Sequence, residues 1–284
     1  MGIETAVQPA IKPALVKTSG LSKKYSQGSP FSRKKFAVDA LVDVNFEIAS
    51  GCLTALVGES GSGKSTLAVC LAMLEKPDAG EVWFGGEEIS RRSDRELASL
   101  RPKIQIVFQD SAEALNPRFS AAQIIAEPLA IQRCRSLKQL RTRACELMEE
   151  VGLCADWADR RPLQFSGGQR QRLAIARAIA LKPSFLILDE SLSGLDLSTQ
   201  AQILNLLLDL QTAHGLTYLL ISHDFSLVGQ VADFVAVMHK GRIVEHGARW
   251  QVIGNPQHDQ TRRLLDSVHV MGRSFQAAHG GRQR

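Results

Sequence analysis

Gly58-Glu59-Ser60-Gly61-Ser62-Gly63-Lys64-Ser65 lies between a short apolar run, Leu53–Val57, and a helical pattern reaching from Gly63 to Met73. Strand, glycine loop and helix in that order are the context in which the spacing G-x-x-x-x-G-K-[ST] carries meaning. Glycines let the backbone curl so that successive N–H groups point inward, and a helix starting at the end of the loop adds its positive pole. Such a loop suits a polyphosphate. Gly58 to Gly63, with Thr66 just beyond, would cradle it, Lys64 would neutralise β- and γ-phosphate charge, and Ser65 would hold Mg²⁺.

Further along, Phe185-Leu-Ile-Leu-Asp189-Glu190 is a continuous apolar run of the kind found in buried parallel strands, and it ends in two carboxylates. Asp189 can hold Mg²⁺ through a bound water, and Glu190 can polarise an attacking water. Phosphoryl transfer depends on positioning and charge more than on covalent chemistry, so carboxylates at a strand end are apt tools for it. Alone the Asp-Glu pair says little; behind the glycine loop it predicts nucleoside triphosphate hydrolysis.

The bulk numbers exclude some alternatives. A chain of 284 residues with 44% hydrophobic and 22% charged residues can bury a sizeable core. Part of its net charge of +5 sits in Arg33-Lys34-Lys35 and in Arg282 and Arg284, which reads as solvated surface, so no nucleic-acid partner is expected. No apolar stretch approaches the roughly 18–20 residues that span a bilayer. Met1–Pro13 has no apolar run behind a positive start, so a signal peptide is not expected. Five cysteines (52, 70, 134, 145 and 154), without close pairing, suit a reducing compartment, and a cytoplasmic location is expected.

Outward from the loop, Ala14–Thr18 leads as a strand to Tyr25, followed by a polar, basic loop from Ser26 to Lys35. Apolar residues at Phe36, Val38, Ala40, Val42, Val44, Phe46 and Ile48 keep a period of two, which predicts antiparallel strands with one buried face. Glu81–Phe84 and Ile104–Phe108 read as strands. From about 110 to 178 the pattern turns helical. Ser120 with Gln123 and Ser136 with Gln139 fit capping boxes, and Leu140, Ala144, Leu147, Met148 and Val151 form one stripe. Helices over Gly167–Ala180 and Leu197–His214, strands Thr217–Ile221, Phe234–Met238 and Arg242–Glu245, and a helix over Asp259–Val268 complete the reading. The sum is one α/β domain over residues 14–268 interrupted by a helical insert, with mobile ends at 1–13 and 272–284.

Phe165-Ser166-Gly167-Gly168-Gln169, then Arg170-Gln171-Arg172, resembles the signature sequence of ATP-binding-cassette (ABC) ATPases. Physically it is a second glycine-rich helix N-terminus, hence a second anion site. The resemblance covers about residues 15–268 and implies a P-loop NTPase cassette: a RecA-like core, an antiparallel β subdomain and an inserted α-helical subdomain. It also implies head-to-tail pairing, in which Ser166, Gly167, Gly168 and Gln169 cap the ATP on the partner's P-loop and the dimer closes on ATP. By the same resemblance Tyr25 stacks on adenine and Gln109 contacts Mg²⁺ and water. Ser193-Gly-Leu-Asp196 signals across the dimer, and His223 contacts the γ-phosphate and positions Glu190. Catalysis would rest on Lys64, Glu190 and His223; Mg²⁺ would be held by Ser65, Gln109 and Asp189.

Val107-Phe-Gln-Asp110, Leu115-Asn-Pro-Arg118, the basic loop after Tyr25 and Pro256-Gln-His258 before Thr261-Arg262 resemble oligopeptide, dipeptide and nickel importer ATPases. Three residues at two places depart from that pattern: Asp259-Gln260 replaces Pro-Tyr, and Ser191 replaces the proline after the catalytic Glu. Lack of a longer C-terminal extension tilts the reading slightly to the nickel type. The implied partners are a second ATPase subunit, in a heterodimer over a homodimer, and two membrane permeases, with an extracytoplasmic binding protein acting indirectly. That assembly places the chain on the cytoplasmic face of a bacterial inner membrane. The rival is a soluble ABC-type ATPase in a nucleic-acid-associated or regulatory role, although the insert is too short for the coiled coils of chromosome-structure relatives.

Overall fold

The structure, a computed structural model, describes residues 13–27, 36–109, 115–132 and 136–266. The basic loop from residue 28, the side chain of Phe36, Asp110, Cys134 and the tail from residue 267 lie outside the described residues.

In chain order the elements are β1 (Ala14–Gln27), β2 (Phe36–Ala49), β3 (Leu53–Val57), α1 (Lys64–Leu71), β4 (Ala79–Phe84), β5 (Glu87–Glu88), α2 (Asp94–Leu97), β6 (Ile104–Val107), α3 (Ala121–Ile131), α4 (Leu137–Glu150) and α5 (Gly167–Ile179). There follow β7 (Phe185–Asp189), α6 (Leu197–His214), β8 (Thr217–Ile221), α7 (Phe225–Val231), β9 (Phe234–His239), β10 (Arg242–Ala248) and α8 (Arg249–Gly254); residues 259–266 are also helical. Two sheets result. β2-β1-β4-β5 is antiparallel, whereas β10-β9-β3-β8-β7-β6 is parallel except where β10 turns back along β9.

The continuous apolar runs behave as read. Every residue of β3, β7 and β8 is buried, because helices or the second sheet cover both faces. One core cluster joins these strands to α3, α4 and α5, and a second fills the space between the two sheets around α1. In the insert, Ser120 and Ser136 cap α3 and α4: their hydroxyls accept from the N–H of Gln123 and Gln139, whose side chains return the bond. Leu140, Ala144, Leu147 and Met148 form the buried stripe of α4, continued by Val151.

The period-two reading of β2 fails in its first half. Val44, Phe46 and Ile48 are buried, but Leu41 replaces Val42 as the next buried position and Val38 is 51% exposed. An extra residue enters β2 between the pairs Leu21↔Val44 and Lys23↔Leu41, and Asp43 takes φ +52 there. Such a bulge shifts the inward face onto Leu41, and a second register shift follows between Lys23↔Leu41 and Lys24↔Asp39, beyond which Ala37, Val38 and Asp39 are all exposed. β1 is also longer than expected: Ser26 and Gln27, read as loop, pair with Ala37 and Phe36.

Candidate nucleotide site

Strand order, more than sequence order, assembles the site. β3, β8 and β7 are parallel neighbours, with Leu56 opposite Ile221 and Ile221 opposite Asp189. Their carboxyl ends therefore share one edge, where the open crevice of an α/β sheet receives ligands. The glycine loop leaves β3 there, Glu190 follows β7, and Ser222-His223 follows β8.

Backbone neighbours dictate two glycines of the loop, Gly58 and Gly63. A Cβ on Gly63, which has φ +108, would lie 2.4 Å from the Ala40 carbonyl oxygen; one on Gly58 would lie 2.2 Å from that of Met238. The turn after β9 closes on the loop from outside, with Gly241 N–H donating to the Ser62 carbonyl at 2.8 Å. The Ser62 hydroxyl is buried within the loop and has no hydrogen-bond partner.

Lys64 is 4% exposed, and its ammonium donates to the carbonyls of Gly58 and Glu59, both at 2.9 Å. Burial lowers its pKa, while Glu190 and Asp189 pull it back up. Glu190 Oε1 lies 4.0 Å from Lys64 Nζ. Ser65 donates to Asp189 Oδ1 at 3.2 Å. Asp189 is 6% exposed; burial raises its pKa, against the Ser65 bond and Lys64 and reinforced by the charge of Glu190.

Glu190 adopts φ +46, a left-handed conformation that costs a side-chain-bearing residue about 1–3 kcal/mol. Its N–H donates to Ile221 O at 3.1 Å, and its carbonyl accepts from Ser193 Oγ at 2.6 Å and Ser193 N at 3.0 Å. Those bonds hold the strained residue. Across from it, His223 Nδ1 stands 3.7 Å from Glu190 Oε2 on an exposed side chain. Lys64, Ser65, Asp189, Glu190 and His223 are thus one cluster, in which a buried cation faces two carboxylates beside the glycine loop. It can bind a polyphosphate and aim a water at it.

A family profile described as ABC transporter matches residues 41–193. The dipeptide transport ATP-binding protein DppF of Haemophilus influenzae is 45% identical over 254 residues, 89% of this chain and 78% of that protein. This chain belongs to the ABC transporter family. The glutathione import ATP-binding protein GsiA of Escherichia coli is 47% identical over 233 residues, 82% of this chain and 37% of that protein. Among solved structures, the dimeric post-hydrolysis state of the ATP-binding cassette MJ0796 bound to ADP and Pi superposes with a TM-score of 0.73 at 31% identity, covering 82% of this chain and 98% of that one. The chain is an ABC transporter ATPase, with the cassette's parallel core and antiparallel β sheet.

Other elements of the ABC reading fall outside the cluster. Ser166 caps α5, its hydroxyl accepting from Gln169 N at 3.3 Å and its N–H donating to Gln169 Oε1 at 2.9 Å. That second glycine loop packs on the start of α6: a Cβ on Gly167 would lie 3.8 Å from Leu195 and one on Gly168 2.5 Å from Thr199. Among the described residues no hydrogen bond joins it to the first loop. Tyr25 is half-buried on β1 and donates its hydroxyl to Glu75 Oε2 at 2.6 Å; burial first, then Glu75, pushes its pKa to about 12. Glu59, Ser60 and Gly61 form the exposed crest of the first loop, Ser65 is exposed and Thr66 half-buried. Gln109 is exposed, two residues beyond the pair Val107↔Leu188.

One contact had no place in the sequence reading. Gln260, noted there only as a departure from Pro-Tyr, donates Nε2 to Glu59 Oε1 at 2.7 Å. Nothing local could announce a bond between residues 201 positions apart.

Proposed function

We propose that this chain is the energy-coupling ATPase subunit of an importer for short peptides. The observation that carries the hydrolytic part is the Lys64–Glu190–Asp189–Ser65 cluster at one sheet edge. The cargo reading is supported by the dipeptide and glutathione relatives. They lend nothing specific to nickel.

In this reading the loop from Gly58 to Ser65, with Thr66, binds the phosphates of ATP. The unpartnered Ser62 hydroxyl supplies a further donor inside the cradle. Lys64 exchanges its carbonyl partners for phosphate oxygens. Tyr25 meets the adenine. Glu190 takes the proton side of the attacking water, and His223 orients Glu190 and the γ-phosphate. Prearranged charge supplies most of the acceleration. The residues fit Mg²⁺: Ser65 and Asp189 are an oxygen pair whose carboxylate is buried, and Gln109 is the third candidate. When bound, the ion would neutralise phosphate charge.

Ser166 to Gln169 lie on another loop, which supports a site completed by a partner's signature, with a different ATPase as partner. The domain acts as one unit over residues 14–268, with the insert at about 110–178 gripping the permeases. No helix among the described residues is long and apolar enough to cross a membrane. The spans are assigned to two permease subunits, with this chain peripheral on the cytoplasmic face of the inner membrane.

Glu190→Gln tests the chemistry: steady-state ATP turnover is expected to fall by at least about 100-fold with ATP still bound. Unchanged turnover would remove Glu190 as the base. Deleting the gene is expected to abolish dipeptide uptake; loss of nickel uptake instead would reverse the cargo reading.

A further inference from the structure

Beyond the motifs, the C-terminal segment touches the nucleotide loop through one buried side chain. Gln260 is 6% exposed, and its amide donates to Glu59 Oε1 at 2.7 Å. The segment carrying it is itself pinned. Glu245 on β10 accepts the N–H of Gln257 at 2.8 Å and of His258 at 3.0 Å, and Gln260 N–H donates to His258 Nδ1 at 3.1 Å. The amide therefore reaches the loop from a fixed base.

Glu59 has two acceptors with different duties. Its backbone carbonyl accepts from Lys64 Nζ at 2.9 Å and from Ser62 N–H at 3.2 Å, so it helps set the loop and aim the ammonium. Its carboxylate is an anion on a loop built for a polyanion, and in the structure that carboxylate is engaged by Gln260. A neutral amide can hold a carboxylate without placing a second cation beside Lys64.

We propose that Gln260 is a positioning residue of the ATP site: it holds the Glu59 side chain out of the phosphate cradle and thereby fixes the carbonyl that orients Lys64. This rests on the reading of Gly58–Ser65 as the ATP loop. It also gives the departure from Pro-Tyr at residues 259–260 a role in this chain. Gln260 acts through Glu59 and touches no substrate.

The test is titration of the full-length chain with ATP and Mg²⁺ by calorimetry, alongside melting temperature. Gln260→Glu sets two carboxylates against each other at the contact and is expected to raise the Kd for ATP about tenfold. Adding Glu59→Gln restores an amide–carboxylate pair with the roles exchanged, and is expected to bring the Kd back to within about twofold of wild type. A role in folding alone would lower melting without that charge-specific reversal. The inference is overturned if Gln260→Glu binds ATP as wild type does, or if the double variant stays as weak as the single one. Failure of the wild-type chain to bind ATP would overturn the loop assignment and this inference together; normal wild-type binding with indifferent variants overturns the inference alone.

Discussion

Gly63→Ala is the sharpest test of the site's architecture, because two independent penalties meet at one atom. Alanine at φ +108 costs about 1–3 kcal/mol in backbone strain. Its Cβ would also stand 2.4 Å from the Ala40 carbonyl oxygen and 3.0 Å from Met238 Cε. A backbone oxygen cannot swing aside as a flexible side chain can, so overpacking adds about 1–3 kcal/mol. The total is about 2–6 kcal/mol, and at about 2 °C per kcal/mol for a chain of this size the melting temperature should fall by about 4–12 °C. The loop can escape part of this by moving off β2, but then its N–H groups no longer converge and ATP binding is lost instead. Scanning calorimetry with ATP titration therefore catches either outcome. Gly61→Ala separates the two penalties, since φ is +77 but a Cβ there meets nothing within 4 Å; it should lose only the strain part. Gly254→Ala, at the end of α8 with open space and no positive φ, should melt at or slightly above wild type with ATP binding unchanged. A Gly63→Ala protein that melts within about 2 °C of wild type and binds ATP equally well would refute the argument.

Two further predictions concern pH. Asp189 has its pKa raised chiefly by burial, so its ionised form costs stability in the folded, ligand-free chain. Ligand-free Asp189→Asn should melt above wild type at pH 8, and the gap should narrow as pH falls through the raised pKa and wild type takes up its proton. ATP turnover should be lost throughout. A variant less stable at pH 8 would show that attraction to Lys64 outweighs desolvation. His246 lies edge-on to Phe46, with ring centroids 5.2 Å apart; its side chain keeps an exposed edge, but desolvation of the packed ring lowers its pKa against the opposing charge of Glu47. A depressed histidine contributes stability that is present above about pH 6.5 and lost as pH falls below it. Between pH 7.5 and 5.5, wild type should therefore lose more melting temperature than His246→Phe; equal losses would refute this.

Legibility followed locality. Strands buried on both faces declare themselves as unbroken apolar runs, so β7 and β8 needed no partner to be found. Helix α6 was readable at both ends because Asp196 caps it, accepting from Thr199 N–H at 2.9 Å, and Gly215 at φ +65 ends it. In β2 a period of two fails because it presumes equal residue counts in paired strands, and the extra residue at Asp43 is visible only in the pairing with β1. Asparagine and aspartate tolerate positive φ, but an Asp inside an apolar alternation reads equally well as a solvent-facing strand position.

The same division explains the site. Each motif is local: a loop with its helix, a strand with its carboxylates, a histidine past a strand. What makes them one site is the order β9-β3-β8-β7, which no motif contains. Burial then gives the residues their character. Lys64 and Asp189 are ordinary ionisable groups in the sequence; in the fold each is pushed toward its neutral form and steadied by the other. Glu190 is held in a strained conformation by Ser193 and Ile221. A chain selected for stability alone would have no cause to gather two buried charges and a left-handed glutamate at one sheet edge. Their concentration there, beside a loop that admits no side chain at Gly58 or Gly63, is what a polyphosphate and its attacking water would require.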